Sequence, residues 1–476
     1  MKVVRNYLYN AGYQILALIT PLITAPYISR TLKPHGVGIY ADTNAWIQWF
    51  VLIASIGIAL YGNREIAYVR DDKEKMSRTF WEIQIVKLVM TLVAYIALVI
   101  FLQIYTKYTW YIWVQSINIL AATLDISWLY MGLEDFKRTV IRNTGVKILS
   151  LVLILTFVKT PNDVALYIFL TGFSTLLGNA TLWPRLRVML TKVKLSTLRP
   201  LRHIKPSLAL FVPQIATQIY LILNKNMLGI IVNSTAVGYY NNSDSLVKMV
   251  LALVTATGTV MLPHVASEFA KGNKEAINEM LYSSFDFISF LSVAMAFGLA
   301  AVSLHGVPYF YGIGYGPVGP AIMIESVVIV IIGWSNAIGV QYLLPTNRVT
   351  EFSTSVILGA VMNFVLNFPL MELWGLNGAM ISTVLSEVMV TGYQLWAIRK
   401  DIEYRRLFTN MWKYLLGGIV MFVPVSWLDR NLHTSVLTIF IEIILGIVVY
   451  MITMLILKPT ILSKASEMIK QKLRRN

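Results

Sequence analysis

Polar residues able to do chemistry are few in this chain, and they sit inside long apolar runs. Asn224-Lys225-Asn226 interrupts one such run, between residues 207 and 232. About eighteen residues precede Lys225 in that run, roughly 27 Å of helix at 1.5 Å per residue, which places its ammonium in the outer half of a bilayer. A charge at mid-bilayer costs about 2.5–3.5 kcal/mol on insertion scales and marks a cavity or a partner. A lysine this close to an outer end can also snorkel to headgroups. In the next run Asp244 and Lys248 stand one helical turn apart, share a face and can pair. Early in the chain Asp42, Asn44 and Gln48 form a corresponding polar set. Arg30 and Arg64 (the latter beside Glu65) close apolar runs. A guanidinium fork suits phosphate oxygens two at a time, and anchoring of span ends would place arginines there equally well. Lys87 and Asp125, with Glu82, Asp286, Glu325, Glu351 and Glu387, complete the charges in or near the spans. Acids there could relay protons or cations, or simply sit wet at an inner end.

No arrangement for covalent or metal chemistry accompanies them. The chain has no cysteine, and its five histidines, His35, His203, His264, His305 and His433, lack metal-ligand spacing. No nucleotide-binding loop is present. Gly312-Ile313-Gly314-Tyr315-Gly316 lacks the lysine that would follow and reads as an outer turn. Asn233-Ser234-Thr235 is a glycosylation sequon on an outer loop, relevant only in a eukaryote. Nothing argues for an enzyme, a cofactor or a metal.

The elements that must position these residues are transmembrane helices. Hydrophobic residues make up 57% of the chain and charged ones 13%, against about 25% charged in ordinary domains. Fourteen spans are expected, roughly 7–32, 38–61, 79–104, 109–131, 140–158, 163–184, 207–232, 237–262, 281–304, 320–344, 350–371, 376–398, 411–428 and 434–457. The N-terminus has no cleavable signal pattern. Sorting the 40 Lys and Arg by loop leaves thirty-two inside and five outside, with Lys87, Lys225 and Lys248 inside spans. That alternation fits the positive-inside rule with both termini cytoplasmic. The net charge of +16 therefore reports topology and not nucleic-acid binding. The basic tail from Ser463 reads as an amphipathic helix on the inner leaflet.

Shifting residues 207–244 back by 200 lays Leu208 on Leu8, Gln214 on Gln14 and Val237-Gly238-Tyr239-Tyr240 on Val37-Gly38-Ile39-Tyr40. This register indicates an internal repeat. It sets Asn44 against Asp244 and Asp42 against Asn242. Six spans separate the copies, an even number, so the repeats are parallel. The expected organisation is an all-α polytopic membrane protein: a six-helix bundle over 1–190, a basic cytoplasmic linker over 191–206 and a second six-helix bundle over 207–400. Two appended helices and a basic tail follow over 401–476. Pro21, Pro26, Pro213 and Pro424 interrupt spans where transporters hinge or bind.

Several stretches resemble one family over nearly the whole chain. GVGIYADTNAWIQWF, IALYGNREIAYVRD, DISWLYMGLEDFKRTVIRN, LFVPQIATQIYLILNKNMLG, VGYYNNSDSLVKMV, VMLPHVASEFAKGN and GLNGAMISTVLSEV are similar to the bacterial oligosaccharide-lipid flippases of the multidrug/oligosaccharidyl-lipid/polysaccharide exporter superfamily. The resemblance implies a V-shaped pair of bundles around a central cavity in the bacterial cytoplasmic membrane. It also implies movement of undecaprenyl-pyrophosphate-linked oligosaccharide to the outer leaflet, for capsule, exopolysaccharide or teichoic-type polymers. An H+ or Na+ gradient would drive alternating access, and a polysaccharide polymerase would be a partner. The family's cationic cavity would match Arg30, Arg64, Lys87, Lys225 and Lys248, with Asn44, Gln48 and Asn224 beside them. Asp42, Asp125 and Asp244 would be the ion-coupling acids. Two departures stand out: Asn224 replaces an acid common before the span-seven lysine, which puts ion coupling there in doubt, and Lys33 replaces the usual glycine after Leu32. The alternatives are a cation-coupled multidrug antiporter of the same fold and a non-transporting scaffold for polysaccharide assembly.

Overall fold

The computed structural model describes residues 2–462, with their side chains except those of 2–18, 136, 210, 212–217, 219–221, 257–260 and 263. Gln14, Gln214, Pro213 and the basic tail from Ser463 lie outside that description. Among the described residues every regular element is helical, and the chain divides into two compact units, Met1–Gly229 and Ile230–Asn476.

The first unit begins with α1 (Lys2–Ser55), which is two helices joined at Lys33, where φ is 60° and ψ 171°. Pro34 explains the position, because a proline pushes the preceding residue out of the α region. A second break follows at Ile56 (φ 38°) and Gly57 (φ 69°). The expected second span is therefore interrupted near its C-terminal end and continues as α2 (Ile58–Val69). A Cβ on Gly57 would stand 2.9 Å from the Phe211 Cβ and 3.0 Å from the Ser207 carbonyl oxygen, so both dihedral and space call for glycine. Asp72 opens α3 (Lys73–Ile104) by accepting the Glu74 and Lys75 amides. The expected fourth span is three pieces, α4 (Thr109–Gln115), α5 (Ile117–Leu124) and α6 (Ser127–Gly132). Next come α7 (Phe136–Phe157) and α8 (Val164–Ala180). Before α8, Asp163 accepts the Lys159 and Thr160 amides, and these two bonds hold its carboxyl below the usual range. The linker carries the short α9 (Leu186–Met189) and leads to α10 (Ile204–Ile231).

In the second unit Asn233 opens α11 (Ser234–Ala270) by accepting the Ala236 amide, and Asn273 opens α12 (Lys274–Ala301) in the same way. The short α13 (Gly306–Tyr311) precedes α14 (Val318–Glu325) and α15 (Val327–Ser335), and a π-helical stretch, Asn336–Leu343, extends α15. The 50-residue α16 (Val349–Ile398) is again two helices, joined at Gly375 (φ 55°, ψ −122°). The turn α17 (Tyr404–Leu407), α18 (Met411–Asn431) and α19 (Val436–Leu457) complete it.

Nine helical stretches among the described residues are long and apolar enough to cross a membrane. Two of them, of 51 and 50 residues, measure about 75 Å at 1.5 Å per residue, enough for two crossings of a hydrocarbon core of about 30 Å. Their breaks at Lys33 and Gly375 fall between expected spans. Together with Val164–Ala180, α10 and α11 they match the fourteen crossings read from the sequence. Packing follows the solvent. Phe80 stacks on Trp128 at 5.4 Å inside the first unit, while Leu88, Leu92, Val93, Ile96, Val99 and Ile100 leave one side of α3 exposed. An apolar surface of that extent suits lipid and not water.

Candidate functional site

The polar residues singled out in the sequence gather into distinct networks. The first runs along α1 beyond Lys33. Asp42 is 1% exposed and lies 3.7 Å from the Lys107 ammonium, which also donates to the Gly229 carbonyl at 3.4 Å. The absence of a side chain at Gly229 permits this contact, since a Cβ there would stand 2.8 Å from the Asp42 Oδ1. Two residues along, Asn44 Oδ1 accepts from Gln48 Nε2 at 3.3 Å and from Gln115 Nε2 at 3.0 Å. Trp49 Nε1 donates to Asn226 Oδ1 at 2.8 Å. Asn224 and Asn226 are buried and flank a half-buried Lys225. The middle of α10 thus meets the second half of α1 through amides and one indole.

The second network lies deeper in the same unit. Lys87 is 4% exposed and donates to the Asp125 backbone carbonyl at 2.6 Å. That carbonyl is available because Asp125 ends α5 in an extended conformation. The Asp125 carboxylate accepts the Ser127 amide at 2.9 Å, starting α6, and lies 3.5 Å from an Arg142 guanidinium nitrogen. Arg142 also donates to Asn179 Oδ1, and Asn179 Nδ2 donates to the Ala121 carbonyl at 2.6 Å. Asp125 is therefore tied to a cation and to a backbone amide.

A third cluster fastens the linker. Glu82, fully buried, accepts from Arg78 at 3.0 Å, Arg202 at 2.6 Å, His203 Nε2 at 2.8 Å and the Arg199 amide at 2.8 Å. His203 Nδ1 lies 2.6 Å from the Tyr61 hydroxyl of α2. Burial pushes the His203 pKa down and the nearby Arg202 charge adds to this, while the bond to Glu82 opposes it without reversing the direction. Arg64 pairs with Glu65 at 3.1 Å and lies over the Tyr61 ring at 5.5 Å, exposed. Arg30 is exposed as well, three residues before the break at Lys33.

In the second unit Asp244 and Lys248 form the expected pair at 2.8 Å, with 9% and 46% of their side chains exposed. The repeat register has a structural counterpart: Lys33 and Asn233, 200 positions apart, both fall at a helix break. No group of three or more His, Cys, Asp or Glu able to hold a metal occurs among the described residues.

Sequence reasoning missed Lys107, Gln115, Arg142 and Asn179. The partners of Lys107 and Arg142 stand 65 and 17 positions away in Asp42 and Asp125, beyond any helical spacing. The one local signal was the Thr171-Thr175-Asn179 series at every fourth residue of span six.

Helices of membrane-crossing length that keep charges and amides inside apolar bundles define a polytopic membrane protein of the transporter class. The solved inward-closed lipid II flippase MurJ shares the fold at a TM-score of 0.74 and 14% identity, covering 95% of this chain and 98% of that one. An inward-facing multidrug MATE transporter follows at 0.58 and 14% identity, covering 81% and 98%. The chain belongs to the polysaccharide biosynthesis protein family, whose sequence profile matches residues 3–268, and the profile of lipid II flippase MurJ matches residues 146–457. Among curated relatives, a candidate O-antigen transporter of Escherichia coli (strain K12) is 25% identical over 405 residues, 83% of this chain and 97% of that protein. Its counterpart in Shigella dysenteriae is 24% identical over 80% and 96%.

Proposed function

We propose that this protein is a flippase that moves undecaprenyl-pyrophosphate-linked oligosaccharide from the inner to the outer leaflet of the bacterial cytoplasmic membrane. The observation that carries the reading is the set of cations held within apolar bundles, Lys87, Arg142 and Lys225, in a chain whose relatives of matching length are candidate O-antigen transporters. A pyrophosphate cannot cross hydrocarbon unaided, because desolvating its charges is prohibitive. Basic residues compensate for that loss, and Asn, Gln, Tyr and Trp suit sugar hydroxyls. In this reading the repeats over 1–190 and 207–400 are the two moving halves, and both termini are cytoplasmic. Arg30, Arg64, Lys225 and Lys248 meet the pyrophosphate; Asn44, Gln48 and Asn224 meet the sugars. Lys87 sets the local field from its buried position. Asp42, Asp125 and Asp244 are the candidates for coupling to H+ or Na+, each with a cationic neighbour within 4 Å that an arriving cation would have to displace. The protein catalyses no covalent step, and a polymerase on the outer face would consume the delivered unit.

The test is the leaflet sidedness of lipid-linked oligosaccharide in cells with and without the gene. Accumulation on the inner leaflet, reversed by the wild type and not by Lys225→Ala, is the expected result. Unchanged sidedness with new sensitivity to cationic drugs would replace the reading by an antiporter. Full activity of Lys225→Ala would remove that residue from the site.

A further inference from the structure

A cavity of about 340 Å³ opens inside the first unit, walled by α1, α7 and α8. Three polar stripes face it, each built at helical spacing: Thr20 and Thr24 from α1, Asn143, Lys147 and Ser150 with Arg142 from α7, and Thr171, Thr175 and Asn179 from α8. Three of the threonines are committed as donors. Thr24 donates to the Thr20 carbonyl at 3.0 Å, and Thr171 and Thr175 donate to carbonyls of their own helix. They therefore offer a ligand only lone pairs. The donors left for an anion are cationic. Arg142 is 11% exposed; one terminal nitrogen serves Asp125 and Asn179, and its Nε–H is buried without a partner among the described residues. Lys147 has no side-chain partner among the described residues. It lies eleven residues into the 22-residue α7, about 16 Å along it. That is mid-span, where an uncompensated charge is least tolerable.

A polar cavity lined by a lysine without a described partner and, five residues earlier, by a mostly buried guanidinium is short of one thing, a compact anion with several oxygens. We propose that this cavity binds the phosphate moiety of a polyprenyl-linked substrate through the Lys147 ammonium, with the Arg142 guanidinium in the same wall adding its positive charge. The inference rests on the flippase reading above and adds to it a binding site within one bundle. The shared chemistry is a phosphate ester, which an ordinary anionic phospholipid would also present, so the test must separate the two sources.

The measurement is binding of undecaprenyl pyrophosphate to the purified full chain in nanodiscs, by native mass spectrometry. Inorganic pyrophosphate and phosphatidylglycerol serve as competitors. Lys147→Gln removes a charge that holds no described contact, so its fold should be intact; loss of a charge-assisted bond should weaken binding about tenfold or more. Lys147→Arg should retain binding within about threefold of wild type. Inorganic pyrophosphate should compete and phosphatidylglycerol should not. Unchanged binding by Lys147→Gln overturns the site, and equal competition by phosphatidylglycerol overturns its assignment to substrate. If the wild type corrects leaflet sidedness while Lys147→Gln binds normally, this inference fails alone. If the wild type neither binds nor corrects sidedness, the flippase reading fails with it.

Discussion

At the scale of single residues, Lys33 is the clearest case of a side chain in a place that its backbone disfavours. Its φ of 60° with ψ of 171° lies in a region that essentially only glycine occupies, at a corner between two expected spans. Such strain costs about 1–3 kcal/mol, so Lys33→Gly should stabilise the purified protein by about 1 kcal/mol or more, read from its denaturation midpoint. A neutral or destabilising result would mean that the lysine is held by contacts stronger than the strain. The sequence flagged this residue through its departure from a family glycine, although periodicity alone could not assign it a conformation. Spacing along one helix was equally sufficient for Asp244 with Lys248, and adjacency for Arg64 with Glu65; both pairs form. Spacing could not reach Asp42 with Lys107 or Asp125 with Arg142, because such pairings are set by tertiary packing between helices.

At the scale of elements, the linker is fastened through a histidine. His203 is buried between Tyr61 and Glu82, and burial lowers its pKa below that of an exposed histidine. The folded state therefore binds a proton less readily than the unfolded chain. The associated stability is complete above the unfolded value of about 6.5 and is lost as pH falls below it. The thermal midpoint of the wild type should drop between about pH 7.5 and 5.5, and His203→Gln should flatten that drop. Parallel pH profiles for the two proteins would show that His203 does not titrate across folding. Span positions were legible from hydropathy, and the breaks at Lys33 and Gly375 fell between expected spans. The interruptions within spans two, four and ten were not anticipated. Apolar residues continue through them, so composition carries no mark of a break that dihedral angles and close approach create.

At the scale of the whole molecule, the charge asymmetry makes a topological prediction that this chain is well suited to test. It contains no cysteine, so single cysteines can be introduced without background. Lys33→Cys and Asn233→Cys should both react with a membrane-impermeant maleimide added to intact cells. Lys75→Cys and Lys271→Cys should react only after permeabilisation. Opposite sidedness for positions 33 and 233 would abolish the parallel repeat. The repeat was the most informative feature of the sequence, and its register of 200 lays one helix break on the other.

The same register also shows where the copies part. Gly57 corresponds to Thr257, and α11 runs from Ser234 to Ala270 without the interruption seen at Ile56–Gly57. The corner at Lys33 and Asn233 is common to both copies, whereas the joint at Ile56–Gly57 occurs in the first alone. Lineages in which the two copies remain interchangeable should be scarce, because a segment transplanted from the later copy would bring a stiff rod where the earlier one has learned to bend.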